Sequence, residues 1–230
     1  MSKVVQVLSV GCLSYGHSLQ LQKTISIKVK QKEIPDTLII VEHKPVYTVG
    51  IRDKSYGADE EKKLRTLGAE FYRTNRGGLI TFHGPGQMVV YPILDLRNYK
   101  PSVRWYVHNL ENTIIDLCAH YNIKAYTSPH TGVWVNDSKI CALGIHAGQY
   151  ITTHGLALNC NIDLSWFKHI VPCGIEGKFV TSLSEQLNQD IEIKTVIPNF
   201  LKMFSKLFDC QIDDIQEGSD ALQNILNNTV

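Results

Sequence analysis

Residues 132–161 read GVWVNDSKICALGIHAGQYITTHGLALNCN. Three apolar runs, at 132–136, 139–147 and 151–161, are separated by two short joints, Asn136-Asp137-Ser138 and Gly148-Gln149-Tyr150. Asn, Asp and Gly tolerate the backbone angles of tight turns, so the stretch predicts three consecutive strands. Upstream, MVVYPILDL (88–96) predicts another. Between them, Trp105, Leu110, Ile114, Leu117 and Tyr121 recur at helical spacing, and Pro101 opens that helix.

Further out, residues 3–10 alternate as a first strand, and Ser14 is placed to cap a helix running to about residue 31. TLIIVE (37–42) predicts a strand, with VYTVGI (46–51) as its neighbour. The charged segment 58–67 predicts a helix ended by Gly68, and AEFYRT (69–74) is strand-like. Residues 162–178 are irregular, and 194–208 predict a closing helix with Pro198 near its start. There is no internal repeat and no low-complexity linker. The expected fold class is α/β (α+β), a single domain over residues 1–230 with a mixed β-sheet flanked by helices.

A chain of 230 residues that is 43% hydrophobic and 20% charged can bury a full core unaided. Its net charge of +1 gives no global basic field for nucleic acid. No apolar run approaches the length of a membrane span, and the start, MSKVVQVLSV, reads as a strand rather than a signal or transit peptide. The six cysteines, at 12, 118, 141, 160, 173 and 210, form no CxxC pair and no zinc-finger spacing, so no metal site is expected. Cys118, Cys141 and Cys160 fall in apolar patterns and read as core thiols.

Two segments carry chemistry. RGGLITFHGPGQ (76–87) packs four glycines among Arg76, His83 and Gln87. Glycine lets backbone N–H groups approach a ligand closely, and a plain turn has no need of the three polar heads. The stretch matches neither GxGxxG nor a Walker loop, and neither does GIEGKF at 174–179, so phosphate chemistry has no support. In the second segment, Cys173 stands between Pro172 and Gly174, flanked by the cations Lys168 and Lys178 and by His169. Neighbouring cations favour the thiolate, the reactive form of cysteine. Lys139 begins the otherwise apolar run KICALGI. Each position alone is also compatible with a turn, an inert thiol or a solvated lysine.

Taken together, RGGLITFHGPGQMVVYPILDL (76–96), SKICALGIHAGQYITTHGLALNCNIDLSWFKHIVPCGI (138–175) and TSL (181–183) closely resemble the lipoyl(octanoyl) transferase family, from about residue 4 to 205. The resemblance implies the catalytic fold shared by biotin and lipoate protein ligases. It implies transfer of octanoyl from acyl carrier protein to a lysine of lipoyl domains, in the glycine-cleavage H protein and the E2 subunits of 2-oxo-acid dehydrogenases. By the same resemblance, Cys173 is the acyl-thioester nucleophile and Lys139 the partner that lowers its pKa. Substrate-binding residues are Arg76, Gly77, Gly78, Leu79, Ile80, Thr81, Phe82 and His83, then Ala142, Leu143 and Gly144, then Gly155, Leu156 and Ala157. No cofactor or metal is implied, and no nucleic-acid or membrane partner.

Val90 departs from the family, where many relatives have glycine before the Tyr-Pro pair, and is expected to alter cavity shape. The forms GIRDKSYG (50–57) and VTSL (180–183) resemble animal mitochondrial members, which implies the mitochondrial matrix although the sequence shows no clear address. The competing expectations are an ATP-dependent lipoate or biotin ligase, which needs no Cys173, and a non-catalytic protein that docks carrier or lipoyl domains.

Overall fold

The computed structural model describes residues 3–53, 55–170 and 179–215. In chain order the elements are β1 (Lys3–Leu13), α1 (Tyr15–Gln31), β2 (Asp36–His43), β3 (Val46–Val49), α2 (Ala58–Thr66), β4 (Glu70–Arg73), β5 (Thr81–His83) and β6 (Gln87–Ile93). There follow α3 (Val103–His120), β7 (Tyr126–Thr127), β8 (Val133–Val135), β9 (Ser138–Gly148), β10 (Ile151–Asn159), β11 (Phe179–Val180), α4 (Leu183–Leu187), α5 (Ile193–Phe208) and β12 (Cys210–Ile215). The large sheet runs β12-β1-β2-β6-β10-β9-β8-β7, with β11 added beside β9. It is mixed: β12, β1 and β2 are parallel, whereas β2, β6, β10, β9, β8 and β7 pair antiparallel in turn.

Side chains alternate across strands, so one sheet serves two cores. Met88 and Val90 of β6, with Leu156 and Leu158 of β10, face Leu110, Ile114 and Leu117 of α3 and Phe200, Phe204 and Phe208 of α5. Val89 and Tyr91, with Ala157, share a core with Leu21, Ile25 and Val29 of α1. The Ser14 hydroxyl caps α1 by accepting from His17 N–H (3.4 Å). At α3, Ser102 rather than Pro101 is the cap, accepting from Trp105 N–H (3.3 Å).

Two expectations are corrected. The strand at 46–49 does not pair with β2: it is the centre of a separate three-stranded sheet, β4-β3-β5. Lys44 and Pro45 part the two strands, and the Pro45 carbonyl already begins the new sheet by accepting from Glu70 N–H (2.9 Å). Its core of Tyr47, Phe71 and Phe82 is closed by Phe167. Val90, in turn, is fully buried under α3 and α5, and the site cavity is lined by its neighbours Val89 and Tyr91. Its methyl groups therefore fill a helix-facing core and leave cavity shape to those neighbours.

Where β6 and β10 pair, Gly155 is required by proximity. A Cβ there would lie 2.1 Å from the Val90 carbonyl oxygen and 2.6 Å from Pro92 Cδ. Backbone cannot yield that distance without parting the strands. Gly155→Ala is expected to cost about 1–3 kcal/mol of stability, read as a lower urea midpoint at unchanged slope. An unchanged midpoint would contradict the close packing.

Candidate active site

One cavity of about 210 Å³ opens between the two sheets. Arg76, Gly78, Leu79, Ile80, Thr81 and His83 line it from the glycine-rich segment; Lys139, Ala142, Leu143 and Gly144 from β9; and Gly155, Leu156 and Ala157 from β10. The β9 and β10 residues are cross-strand partners at mid-strand (Gly144 opposite Gly155, Ala142 opposite Ala157), and the glycine-rich segment with β5 closes over them. The volume is below the roughly 300–1,000 Å³ of common ligand clefts, which suits a slender ligand. The other two positions anticipated from sequence sit behind this wall. Gly77 donates its N–H to the Ile145 carbonyl (2.9 Å), and Phe82 is buried against Trp166, rings stacked at 4.9 Å. Cys173 lies outside the described residues.

Arg76 holds the glycine-rich segment in shape. It is 6% exposed, and its guanidinium donates to the carbonyls of Thr48 (2.6 Å), Leu79 (2.9 Å) and Gly77 (3.0 Å) and to Thr48 Oγ1 (2.9 Å). A planar fork of five donors meets so many acceptors where a lysine could not.

From Arg76 a hydrogen-bonded chain crosses the whole site. Thr48 Oγ1 accepts from Arg76 and gives its own proton to Nε2 of His83 (3.2 Å), which is the acceptor of the neutral ring because Nδ1 must donate to an amide oxygen. His83 Nδ1 then carries the ring proton and donates to Gln87 Oε1 (2.8 Å). Gln87 Nε2 donates to Asn159 Oδ1 (2.9 Å), and Asn159 Nδ2 to the Thr181 carbonyl (2.8 Å). Thr181 N–H closes the chain on the Lys139 carbonyl (3.0 Å). Asn159 and Thr181, which sequence reading left without a role, connect RGG, LNCN and TSL to the strand that carries Lys139. Such a network, with every member partnered, fixes one arrangement of the polar interior.

A second group surrounds the cavity's inner end. His43 Nδ1 donates to the Leu13 carbonyl (2.9 Å), so its Nε2 accepts from Tyr91 OH (2.7 Å). Tyr15 lies parallel to His83 at 6.1 Å. His154 donates from Nε2 to Asn75 Oδ1 (2.7 Å) and holds φ at +56°, in the left-handed region. Burial keeps all three histidines neutral: it pulls His43 and His154 down to about 4 and His83, with His43 and Arg76 close by, to about 3. Tyr15 is pushed up to about 12, also by burial.

These depressed values make stability pH-dependent, and the sign is determined. Unfolding exposes histidines that take up protons near pH 6.5, whereas the folded rings resist until about pH 4. Stability is therefore intact above 6.5 and lost as pH falls towards 4, at up to roughly 1.4 kcal/mol per pH unit for each histidine. Urea midpoints between pH 7.5 and 4.5 should fall steeply below 6.5. A flat profile over that window would mean the rings can charge in place.

Lys139 is 6% exposed, at the start of β9. Its Nζ donates to the Thr131 carbonyl (3.0 Å) and lies 4.7 Å from the Trp134 ring centroid. A buried ammonium held by a carbonyl and an aromatic face is available for proton transfer within the cavity. Among the described residues no His, Cys, Asp and Glu cluster could hold a metal ion.

Comparison with known proteins gives the family. Residues 14–205 match the family model described as lipoyl protein ligase A/B catalytic domain. The chain is 54% identical over 213 residues to a protein of Danio rerio named octanoyl-[acyl-carrier-protein]:protein N-octanoyltransferase, mitochondrial, with 90% of this chain and 94% of that protein covered. Among solved structures, a protein of Thermoplasma acidophilum with bound lipoic acid superposes with a TM-score of 0.75 at 12% identity, over 99% of this chain and 94% of that one. Biotin protein ligase from Aquifex aeolicus gives 0.52 at 12% identity, over 91% and 71%. The two structures speak for the fold alone, whereas the family match and the zebrafish relative, each spanning most of the chain, show that this protein belongs to the lipoyl protein ligase A/B catalytic domain family.

Proposed function

We propose that this protein moves an octanoyl group from an acyl-carrier thioester to a lysine of a lipoyl-domain acceptor, through a thioester on Cys173. The observation that carries the reading is Lys139: a buried amine in a slender cavity, on the strand that the hydrogen-bonded chain ties to Arg76. The octanoyltransferase relative supports the reaction class. We place the reaction in mitochondria because that relative is named as mitochondrial.

The proton inventory balances over a cycle. An ordinary lysine amine holds a proton more tightly than an ordinary thiol by about two pH units. Neutral Lys139 takes the thiol proton, and the thiolate of Cys173 attacks the carrier thioester carbonyl. The bond to the carrier sulfur breaks, and the leaving thiolate recovers the proton from Lys139. The acceptor amine then attacks the enzyme thioester and loses its proton to Lys139. The Cys173 sulfur departs as thiolate, leaving the amide. Exchange of one thioester for another is near thermoneutral, and amide formation is downhill, so no nucleotide is consumed. The polar backbone of the glycine-rich segment is suited to receive the developing oxyanion.

The test supplies octanoyl carrier plus a lipoyl domain without nucleotide, and separately free octanoate with ATP. Octanoylated lysine is expected only in the first. Product only in the second would make the protein an ATP-dependent ligase. No product in either, with binding retained, would make it a docking protein.

A further inference from the structure

The middle of α3 buries a carboxylate that the acyl-transfer cycle does not use. Glu111 is 9% exposed beside the apolar Leu110 and Ile114. A buried carboxylate is retained only with partners. Glu111 Oε1 accepts from Gly132 N–H at 3.0 Å. The carbonyl of that same peptide unit, Thr131 C=O, accepts from Lys139 Nζ at 3.0 Å. One peptide group therefore stands between a carboxylate and an ammonium, bonded to each. Its position is fixed from the other side as well. A Cβ at Gly132, where φ is +129°, would lie 2.8 Å from the Cys141 carbonyl oxygen and 3.0 Å from Lys139 Cε. Only glycine brings the peptide this close to the lysine stem.

We infer that Glu111 is the positioning residue for Lys139, acting through the Thr131–Gly132 peptide. The carboxylate draws on the peptide N–H, the carbonyl becomes a stronger acceptor, and the ammonium that Lys139 becomes on taking the Cys173 proton is thereby favoured and held in place. The assignment rests on the transferase reading, since Lys139 has this task only there. Burial raises the Glu111 carboxyl from its usual value, while the Gly132 N–H, His108 one turn earlier and Lys139 across the gap draw it back. Of the other elements on α3, β8 (Val133–Val135) brings no ionisable side chain, and Lys206 of α5 is engaged by Asp116 (3.4 Å).

Glu111→Gln tests the inference, because the amide keeps an oxygen for Gly132 N–H and removes only the charge. The readout is the pH dependence of Cys173 alkylation, followed on its own peptide so that exposed Cys12 does not contribute. The midpoint is expected to move to higher pH, with the rate at pH 7 down about five-fold, the difference between a charge-assisted and a neutral hydrogen bond. Turnover should fall with KM for the octanoyl carrier unchanged and thermal stability preserved. A midpoint equal to wild type overturns the inference, whatever happens to stability. If wild-type Cys173 acquires no octanoyl group at all, the transferase reading fails instead. If it does acquire one and Glu111→Gln titrates as wild type, only the role of Glu111 falls.

Discussion

Cys173→Ala is expected to abolish transfer of octanoyl to a lipoyl-domain lysine while leaving the fold unchanged. In the proposed cycle the Cys173 thiolate forms the bond that carries the acyl group between carrier and acceptor. Loss of a covalent nucleophile costs about 10³-fold or more in turnover. The cysteines buried in the apolar core offer no substitute. Cys118 and Cys160 are buried with thiols pushed up to about 12, and burial drives Cys141 further in the same direction, so none forms a thiolate at working pH. The stability of the variant should equal wild type, since the substitution removes a single sulfur atom from the side chain between Pro172 and Gly174. Retention of more than about a tenth of wild-type turnover would sink the nucleophile assignment, because no such loss leaves so much.

Lys139→Arg is expected to be nearly as damaging, for two separable reasons. Arginine keeps the charge but does not release its proton at working pH, so it cannot act as a base. The side chain is also confined, with the Thr131 carbonyl at 3.0 Å and the Trp134 ring at 4.7 Å. A planar guanidinium needs more room than this niche provides. The two half-reactions should part. Self-acylation of Cys173 needs mainly a stabilised thiolate and should be partly retained. Transfer to the acceptor amine needs a proton acceptor and should fall by the roughly 10²–10⁴ typical of lost general-base catalysis. Single-turnover measurement of each step separates them. Equal losses in both would reduce Lys139 to a fixed charge.

Long periodic segments were legible in the sequence, and the reasons are physical. α1, α3 and α5 each bury one face against the sheet, so their apolar residues recur at helical spacing. The β8–β9–β10 meander is local, and its joints carry turn residues: Asn136 and Gln149 have positive φ in the structure. Other features had no local signal. β12 is an edge strand, CQIDDI, whose acidic residues suggest a loop; it forms because β1 offers a free parallel edge. β7 and β11 are two residues each and exist only through their partners. Assignment of 46–49 to a second sheet depends on pairing with residues more than twenty positions away.

The site divides the same way. Motif resemblance pointed to the segments that line the cavity, but not to how they are held. Gln87 and Asn159 are 72 positions apart, and no spacing rule joins them. Tyr15 reads from sequence as a helix core residue, yet it also lines the cavity beside His83. Glu111 reads as an ordinary helix charge until the strand pairing of β9 brings the Thr131–Gly132 peptide between it and Lys139.

In the proposed cycle the acyl group rests on Cys173 between donor and acceptor. Intact-mass measurement of the wild-type protein, incubated with octanoyl carrier and no acceptor, tests it most directly. One octanoyl group should appear, on the peptide containing Cys173, removable by hydroxylamine and discharged when a lipoyl domain is added. A protein that transfers octanoyl at full rate yet never carries that mass, or carries it on another residue, would contradict the account.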